Sequence, residues 1–165
     1  MNTDTAVKTS IFEHRSNMPT TAEALFAFHS EPGALQKLTP PPILPQLLND
    51  ARTSLTSGEL EFRLWFGPFP VKWVARHEPG PIPTSFVDRM VEGPMAYWEH
   101  KHLFEPLPEG AALVDHITLA HKPGLPGLLT RLIFDGLPLR ILFMYRHWRT
   151  RRAVKRYEGD KRNHA

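Results

Sequence analysis

The chain has 165 residues, of which 41% are hydrophobic and 10% aromatic, enough to bury a core of ordinary single-domain size. It has no cysteine, which excludes disulfides, thiolate nucleophiles, cysteine–zinc sites and iron–sulfur clusters. The net charge is only +3, and the sequence contains no signal-peptide pattern and no uninterrupted apolar run that could span a membrane. We therefore expect one cytoplasmic domain over residues 1–165, with its core at about 7–157 and a basic tail at 158–165.

The N-terminal part predicts one strand followed by two helices. Alternating apolar residues indicate the strand, helix-capping residues mark where the first helix begins, and a run of three prolines must end the second. The predicted strand comprises Ile11–Arg15 with the preceding Val7 and Thr9, and Asn17 ends it. The first helix is capped by Thr20 or Thr21 and stops near Pro32, and the second helix covers Ala34–Leu38.

From Gly58 onward the apolar residues alternate with polar ones, a period typical of strands with one buried face. Short turns containing proline or glycine separate these strands, so sequential neighbours should pair antiparallel. The predicted strands cover residues 58–66, 71–77, 85–92, 95–105 and 111–121.

After Pro123 the period becomes helical again, with a break at Gly136–Pro138. The last helix should therefore be long and begin near Pro138. One stripe of this helix carries mostly apolar side chains, at Leu139, Leu142, Phe143, Arg146, Thr150 and Val154.

This order of elements, and the residues of several strands, resemble the helix-grip domains of the START-like, or SRPBCC, superfamily. The similarity is to bacterial ligand-binding members related to polyketide cyclases and dehydrases, and it covers about Val7–Tyr157. It implies an α+β fold in which a curved antiparallel sheet wraps around the long C-terminal helix and encloses a cavity for hydrophobic small molecules. The residues that carry the resemblance are Phe86-Val87-Asp88, Gly93-Pro94, Trp98-x-His100-x-His102-x-Phe104-Glu105-Pro106, Leu113-Val114-Asp115 and Tyr145-Arg146-His147.

A histidine pair is the main candidate for chemistry. His100 and His102 share one strand face with Trp98 and Phe104, and Asp115 of the next strand can lie opposite His102. Such a carboxylate can fix the imidazole tautomer or raise its pKa. Three interpretations stay open: a structural hydrogen bond between strands, a polar spot that orients a ligand, and general acid–base catalysis.

The strand aromatics and the helix stripe would either fill the core or line the cavity. Arg146, on that stripe, would pair with a ligand carboxylate, with Asp88 or with Asp115. The predicted ligand-binding residues are Phe62, Leu64, Trp73, Phe86, Trp98, His100, His102, Phe104, Asp115, Leu142, Phe143 and Arg146.

We predict no metal and no cofactor. His100 and His102 with a carboxylate would suit zinc or iron, but the spacing departs from the cupin pattern, and Glu105 falls on the opposite strand face.

The leading functional prediction is binding of a lipid, a polyketide-like compound or an aromatic molecule. The alternative is a cyclase or dehydratase in which His102 moves protons and Asp115 orients it. A third class is an interaction module whose basic end, residues 149–162, contacts an anionic partner. We predict neither nucleic-acid binding nor stable membrane insertion, and the sequence leaves the oligomeric state open.

Overall fold

The computed structural model describes residues 8–163, and side chains as far as residue 155. Val7 therefore lies outside the described residues. No side chain of the predicted basic tail, residues 158–165, is described. The elements in chain order are β1 (Ser10–Met18), α1 (Ala22–Ser30), α2 (Ala34–Leu38), β2 (Leu44–Asp50), β3 (Gly58–Phe66), β4 (Phe69–Pro79), β5 (Ser85–Glu92), β6 (Tyr97–Pro106), β7 (Ala111–Ala120), α3 (Gly124–Phe134) and α4 (Gly136–Asn163).

The strands form one curved antiparallel sheet in the order β1-β7-β6-β5-β4-β3-β2. Each strand from β2 to β6 therefore neighbours the next strand along the chain, as short turns require. β1 closes the far edge by pairing with β7, from Ser10 opposite Leu119 to Met18 opposite Ala111. The helix α4 crosses the inner face of this sheet, so the predicted helix-grip α+β fold is confirmed.

Several local predictions match the structure closely. The N–H of Ala24 donates a hydrogen bond of 3.2 Å to Oγ1 of Thr21, which caps α1. The strand β1, however, does not end at Asn17, because Asn17 still pairs with Ala112 of β7. Pairing with a long neighbour extends the strand beyond the point where its own alternation weakens.

The strand β2 was not predicted. Its sequence, LPQLLND, lacks clear alternation and carries a proline. Three of its leucines are exposed, Leu44 at 65%, Leu47 at 47% and Leu48 at 36%. The strand forms because its backbone pairs with β3 at the sheet edge. Such pairing depends on tertiary structure and leaves no signal in the local sequence pattern.

The core lies between the inner sheet face and the helices. Trp73, Trp98, Leu139 and Phe143 belong to one buried cluster around α4. A second cluster, which contains Phe104, packs beneath α1. Among the described residues, no helix is both long enough and apolar enough to cross a membrane.

Candidate ligand cavity and histidine–aspartate cluster

A cavity of about 510 Å³ lies between the inner face of β3–β6 and the N-terminal half of α4. Alternation along each strand turns every second side chain into this space. Helix α2 and the proline-rich segment after it contribute to its lining, as does the C-terminal end of α3. The apolar residues that line it include Leu35, Leu60, Phe62, Leu64, Phe66, Trp73, Ala75, Phe86, Trp98, Phe134, Ile141, Leu142 and Phe143.

Two histidines of β6 and one aspartate of β5 interrupt this apolar lining, and a second aspartate, on β7, lies behind the histidines. The register places Asp88 beside His100 and His102 beside Asp115. His100 donates from Nε2 to Asp115 Oδ1 over 2.8 Å, and His102 donates from Nε2 to Asp88 Oδ2 over 2.9 Å. The imidazoles therefore lie between a carboxylate on the cavity side and one behind them.

The remaining ring nitrogens approach the same two carboxylates. His100 Nδ1 is 3.3 Å from Asp88 Oδ2, and His102 Nδ1 is 2.9 Å from Asp115 Oδ1. The latter contact lacks hydrogen-bond geometry, so His102 Nδ1 is a buried polar atom without a hydrogen bond. Asp88, whose side chain is 20% exposed, lines the cavity, as do both histidines.

Asp115 also connects the sheet to the last helix. His147 of α4 donates from Nε2 to Asp115 Oδ2 over 2.7 Å, and both side chains are 3% exposed. The ring of His147 also lies 4.4 Å from that of His14 on β1. One buried carboxylate thus contacts histidines from two elements.

Electrostatics favour charged forms inside this cluster. Burial alone would raise the pKa of Asp88 and of Asp115, but the charge and hydrogen bonds of the histidines, His100 foremost, hold both values well below the ordinary one. Burial acts against the imidazolium of His100 as well, yet the two aspartates outweigh it and raise the pKa of His100. The imidazole of His100 can therefore carry a proton between the carboxylates of Asp88 and Asp115.

Two further histidines lie on the cavity wall and favour the neutral form. His29 of α1 donates from Nδ1 to the carbonyl of Leu25 over 2.8 Å, and burial, then the charge of His102, lower its pKa to about 3. His77 of β4 stacks on Phe86, and burial lowers its pKa too. Neither residue was among the sequence-predicted site residues.

The structure brings most of the predicted ligand-binding residues to the cavity wall, but two lie elsewhere. Phe104 is fully buried against Phe26, Phe86 and His29 in the second core cluster, because the curved sheet carries this end of β6 beneath α1. Asp115 lies behind His100 and His102 instead of facing the space. The predicted residues that do line the cavity are Phe62, Leu64, Trp73, Phe86, Trp98, His100, His102, Leu142, Phe143 and Arg146.

The predicted pairing of Arg146 with Asp88 or Asp115 is wrong. Arg146 lines the cavity and its guanidinium lies 5.3 Å from the ring centre of Phe143. Among the described side chains it forms no ion pair, because imidazoles take up both aspartates. Glu105, as predicted, lies on the opposite strand face, where it pairs with Arg15.

Four residues of the site were not predicted to have a site role: Asp88, His29, His77 and His147. The available signal for Asp88 was its spacing of two from Phe86, which puts both on one strand face. His77 has the same spacing from Ala75. No comparable local signal joins His147 to Asp115, since that contact depends on how α4 is rotated against the sheet.

The described part of the basic helix end is held largely by the chain itself. Arg149 donates to the carbonyl of Lys37 over 3.2 Å, and Arg151 to that of Asn17 over 2.6 Å. Arg152 lies over the ring of Trp148. These contacts dock α4, while the side chains of residues 156–162 lie outside the described ones.

No family model matches the sequence, and no curated protein is significantly similar to it. Solved structures do resemble it. A START superfamily protein from Mycobacterium smegmatis superposes with a TM-score of 0.65 at 13% identity, over 89% of this chain and 98% of that one. This chain has the START-like, or SRPBCC, helix-grip fold.

Two further structures share this fold. A norcoclaurine synthase point mutant from Thalictrum flavum, solved with a transition-state analogue, has a TM-score of 0.66 at 14% identity, over 93% of this chain and 98% of that one. A nucleoside-diphosphate sugar epimerase from Corynebacterium glutamicum has a TM-score of 0.64 at 25% identity over 87% of this chain. This chain spans only 29% of that epimerase's length.

Proposed function

We propose that the protein binds a hydrophobic small molecule in the cavity between the sheet and α4. The cavity carries this proposal: its volume of about 510 Å³ falls within the ~300–1,000 Å³ typical of small-molecule sites. Aromatic side chains from four strands, β3 to β6, line it, including Trp73 and Trp98, and a few polar groups converge on one side. A lipid, a polyketide-like compound or an aromatic molecule suits such a lining.

The polar groups favour a ligand with an oxygen-bearing or acidic end. Arg146 offers a cation at the wall without a carboxylate partner among the described residues. A carboxylate or phenolate placed near it would satisfy that charge. The apolar body would then lie against Phe62, Trp73 and Phe143.

Native mass spectrometry of the purified protein, followed by identification of anything released on denaturation, tests whether a host-derived ligand is retained. A stoichiometric apolar compound supports the proposal and identifies the ligand class. If nothing is retained, binding of the fluorescent probe anilinonaphthalene sulfonate tests whether the cavity can take up a ligand. This probe combines aromatic rings, which suit the apolar lining, with an anionic group, which suits Arg146.

A matched pair of variants assigns the site. Ala75→Leu adds volume at the cavity wall, whereas Ala27→Leu adds the same atoms on the exposed face of α1. We expect Ala75→Leu to weaken probe binding about tenfold or more and Ala27→Leu to leave it unchanged. Equal probe affinity in both variants, or no saturable binding by the parent protein, would contradict the proposal.

Acid–base catalysis of the cyclase or dehydratase type is a second candidate, favoured by the placement of His100 and His102 between two carboxylates at the cavity wall. An imidazole held in this way can deliver or accept a proton at the cavity wall. Incubation of the released compound with fresh protein, followed by mass analysis, tests for conversion. Turnover that His102→Gln abolishes in a folded protein supports catalysis; unchanged compound supports binding alone.

A further inference from the structure

The nitrogen and oxygen atoms that face the cavity at the histidine–aspartate cluster have the composition of a metal-ligand set. His100 Nδ1, His102 Nε2 and a carboxylate oxygen of Asp88 all lie within 4.8 Å of one another. Asp88 Oδ2 is 3.3 Å from the first nitrogen and 2.9 Å from the second. Ligand atoms around a tetrahedral ion with bonds of about 2.0–2.1 Å lie roughly 3.3 Å apart, so side-chain adjustments of a few tenths of an ångström bring Asp88 to that spacing from each nitrogen.

We propose that Asp88, His100 and His102 bind a divalent first-row transition-metal ion at the cavity wall. Two imidazoles and one carboxylate suit zinc or iron and leave coordination positions free. All three residues line the cavity, so those positions open onto the space between the sheet and α4. Metal binding here does not depend on whether an apolar molecule fills the rest of that space.

The atoms behind the two imidazoles strengthen the assignment. Histidines that ligate metals usually donate their other ring N–H to a carboxylate, a backbone carbonyl or water, which fixes the tautomer. His100 already donates from Nε2 to Asp115 over 2.8 Å, which leaves Nδ1 for the ion. His102 Nδ1 lies 2.9 Å from the same Asp115 oxygen and makes no hydrogen bond, so a proton moved there from Nε2 would face a carboxylate.

His147 anchors the outer carboxylate in turn, through its bond of 2.7 Å to Asp115 Oδ2. Asp115 is thereby fixed from the helix side while it orients both imidazoles. A purely structural pair needs only one carboxylate for each histidine; here each histidine has a different carboxylate near each of its two nitrogens. An inner carboxylate beside the ion and an outer one behind the imidazoles is an arrangement common around metal-ligating histidines.

The test starts from chelator-treated full-length protein titrated with Zn²⁺ by calorimetry and with Co²⁺ by visible absorption. We expect one ion per chain and a Co²⁺ spectrum typical of nitrogen and oxygen ligation. Asp88→Asn and His102→Gln should each weaken Zn²⁺ binding at least about tenfold. His116→Gln is the matched control, because His116 pairs with Glu13 on the outer surface. This variant should bind Zn²⁺ with the parental affinity.

A measurement on the parent protein covers the case in which a variant does not fold. Long-range imidazole NMR spectra should show the ring nitrogens of His100 and His102 shifting with one equivalent of Zn²⁺, while those of His116 stay in place. Absence of stoichiometric binding overturns the proposal. So does binding that moves only surface histidines, or that folded Asp88→Asn and His102→Gln proteins retain at parental affinity.

Discussion

His147 of α4 and Asp115 of β7 share a hydrogen bond of 2.7 Å between Nε2 and Oδ2, with both side chains 3% exposed. This contact ties the helix to β7, the strand next to the edge strand β1. Since Asp115 also contacts His100 and His102, it joins the docking of the helix to the geometry of the cavity wall.

We expect His147→Ala to lower the free energy of unfolding by about 2–3 kcal/mol, because it removes a hydrogen bond to a buried charged group. His116→Ala is the control: its pair with Glu13 is 3.1 Å long but partly exposed, and such pairs contribute about 0–1 kcal/mol. Urea unfolding measures both values. Equal losses would mean that burial of the Asp115 contact adds nothing.

His29 should give the stability of the fold a pH dependence. Burial and the nearby His102 lower its pKa from 6.5 to about 3. Between these values the unfolded chain binds a proton that the folded protein does not, so the free energy of unfolding falls as the pH falls from 6.5 towards 3. Replacement of His29 by Leu should remove up to about 1.4 kcal/mol per pH unit of this slope.

Urea titrations from pH 4 to 6.5 with a chelator present isolate this effect. Asp88 and Asp115, whose pKa values are lowered, stabilise the fold above pH 3.8 and lose that contribution only as the pH falls through their folded-state values. His100, whose pKa is raised, stabilises fully below pH 6.5 and loses its contribution at higher pH. The lowered pKa of His77 leaves a residual slope. A slope identical to the parent's in His29→Leu would contradict a neutral, buried His29.

Phe143 should be a main packing residue of the cavity wall. It is 1% exposed and contacts Phe12 and His100 edge-on or tilted. Phe143→Ala should cost about 3–5 kcal/mol. Its neighbour Met144 is 59% exposed, so Met144→Ala should stay within about 0.5 kcal/mol; thermal unfolding of the two variants makes the comparison.

Substitutions at two glycines with positive φ distinguish the cost of backbone strain alone from the cost of strain combined with a steric clash. Gly67 has a φ of +61° with open space around a substituent, whereas Gly110 has a φ of +85° and a substituent there would meet the carbonyl of Met18. Gly67→Ala should cost about 1–2 kcal/mol, and Gly110→Ala clearly more. Similar unfolding free energies for the two variants would place the β6–β7 turn farther from Met18.

The order of the elements and much of the sheet could be predicted because turn residues and alternation are local signals. Alternation put His100 and His102 on one face, and a short turn put Asp115 opposite His102, as observed. The strand β2 escaped prediction because pairing with β3, rather than its own pattern, stabilises it.

The rest of the cluster depends on distances that no local pattern encodes. Asp88 reaches the histidines through the register between β5 and β6, and His147 reaches Asp115 through the rotation of α4. The expected ion pair of Arg146 does not form for the same reason, because imidazoles already pair with Asp88 and Asp115.

The pairing of β1 with β7 joins residues about a hundred positions apart in the chain, and α4 follows both. During synthesis the aromatic face formed by Phe62, Trp73 and Trp98 therefore stays uncovered until α4 emerges. Contacts this distant in sequence slow folding and leave apolar surface open to aggregation. A small molecule that settles on this face before α4 docks would shorten that exposure, so its supply would raise the yield of folded protein during expression.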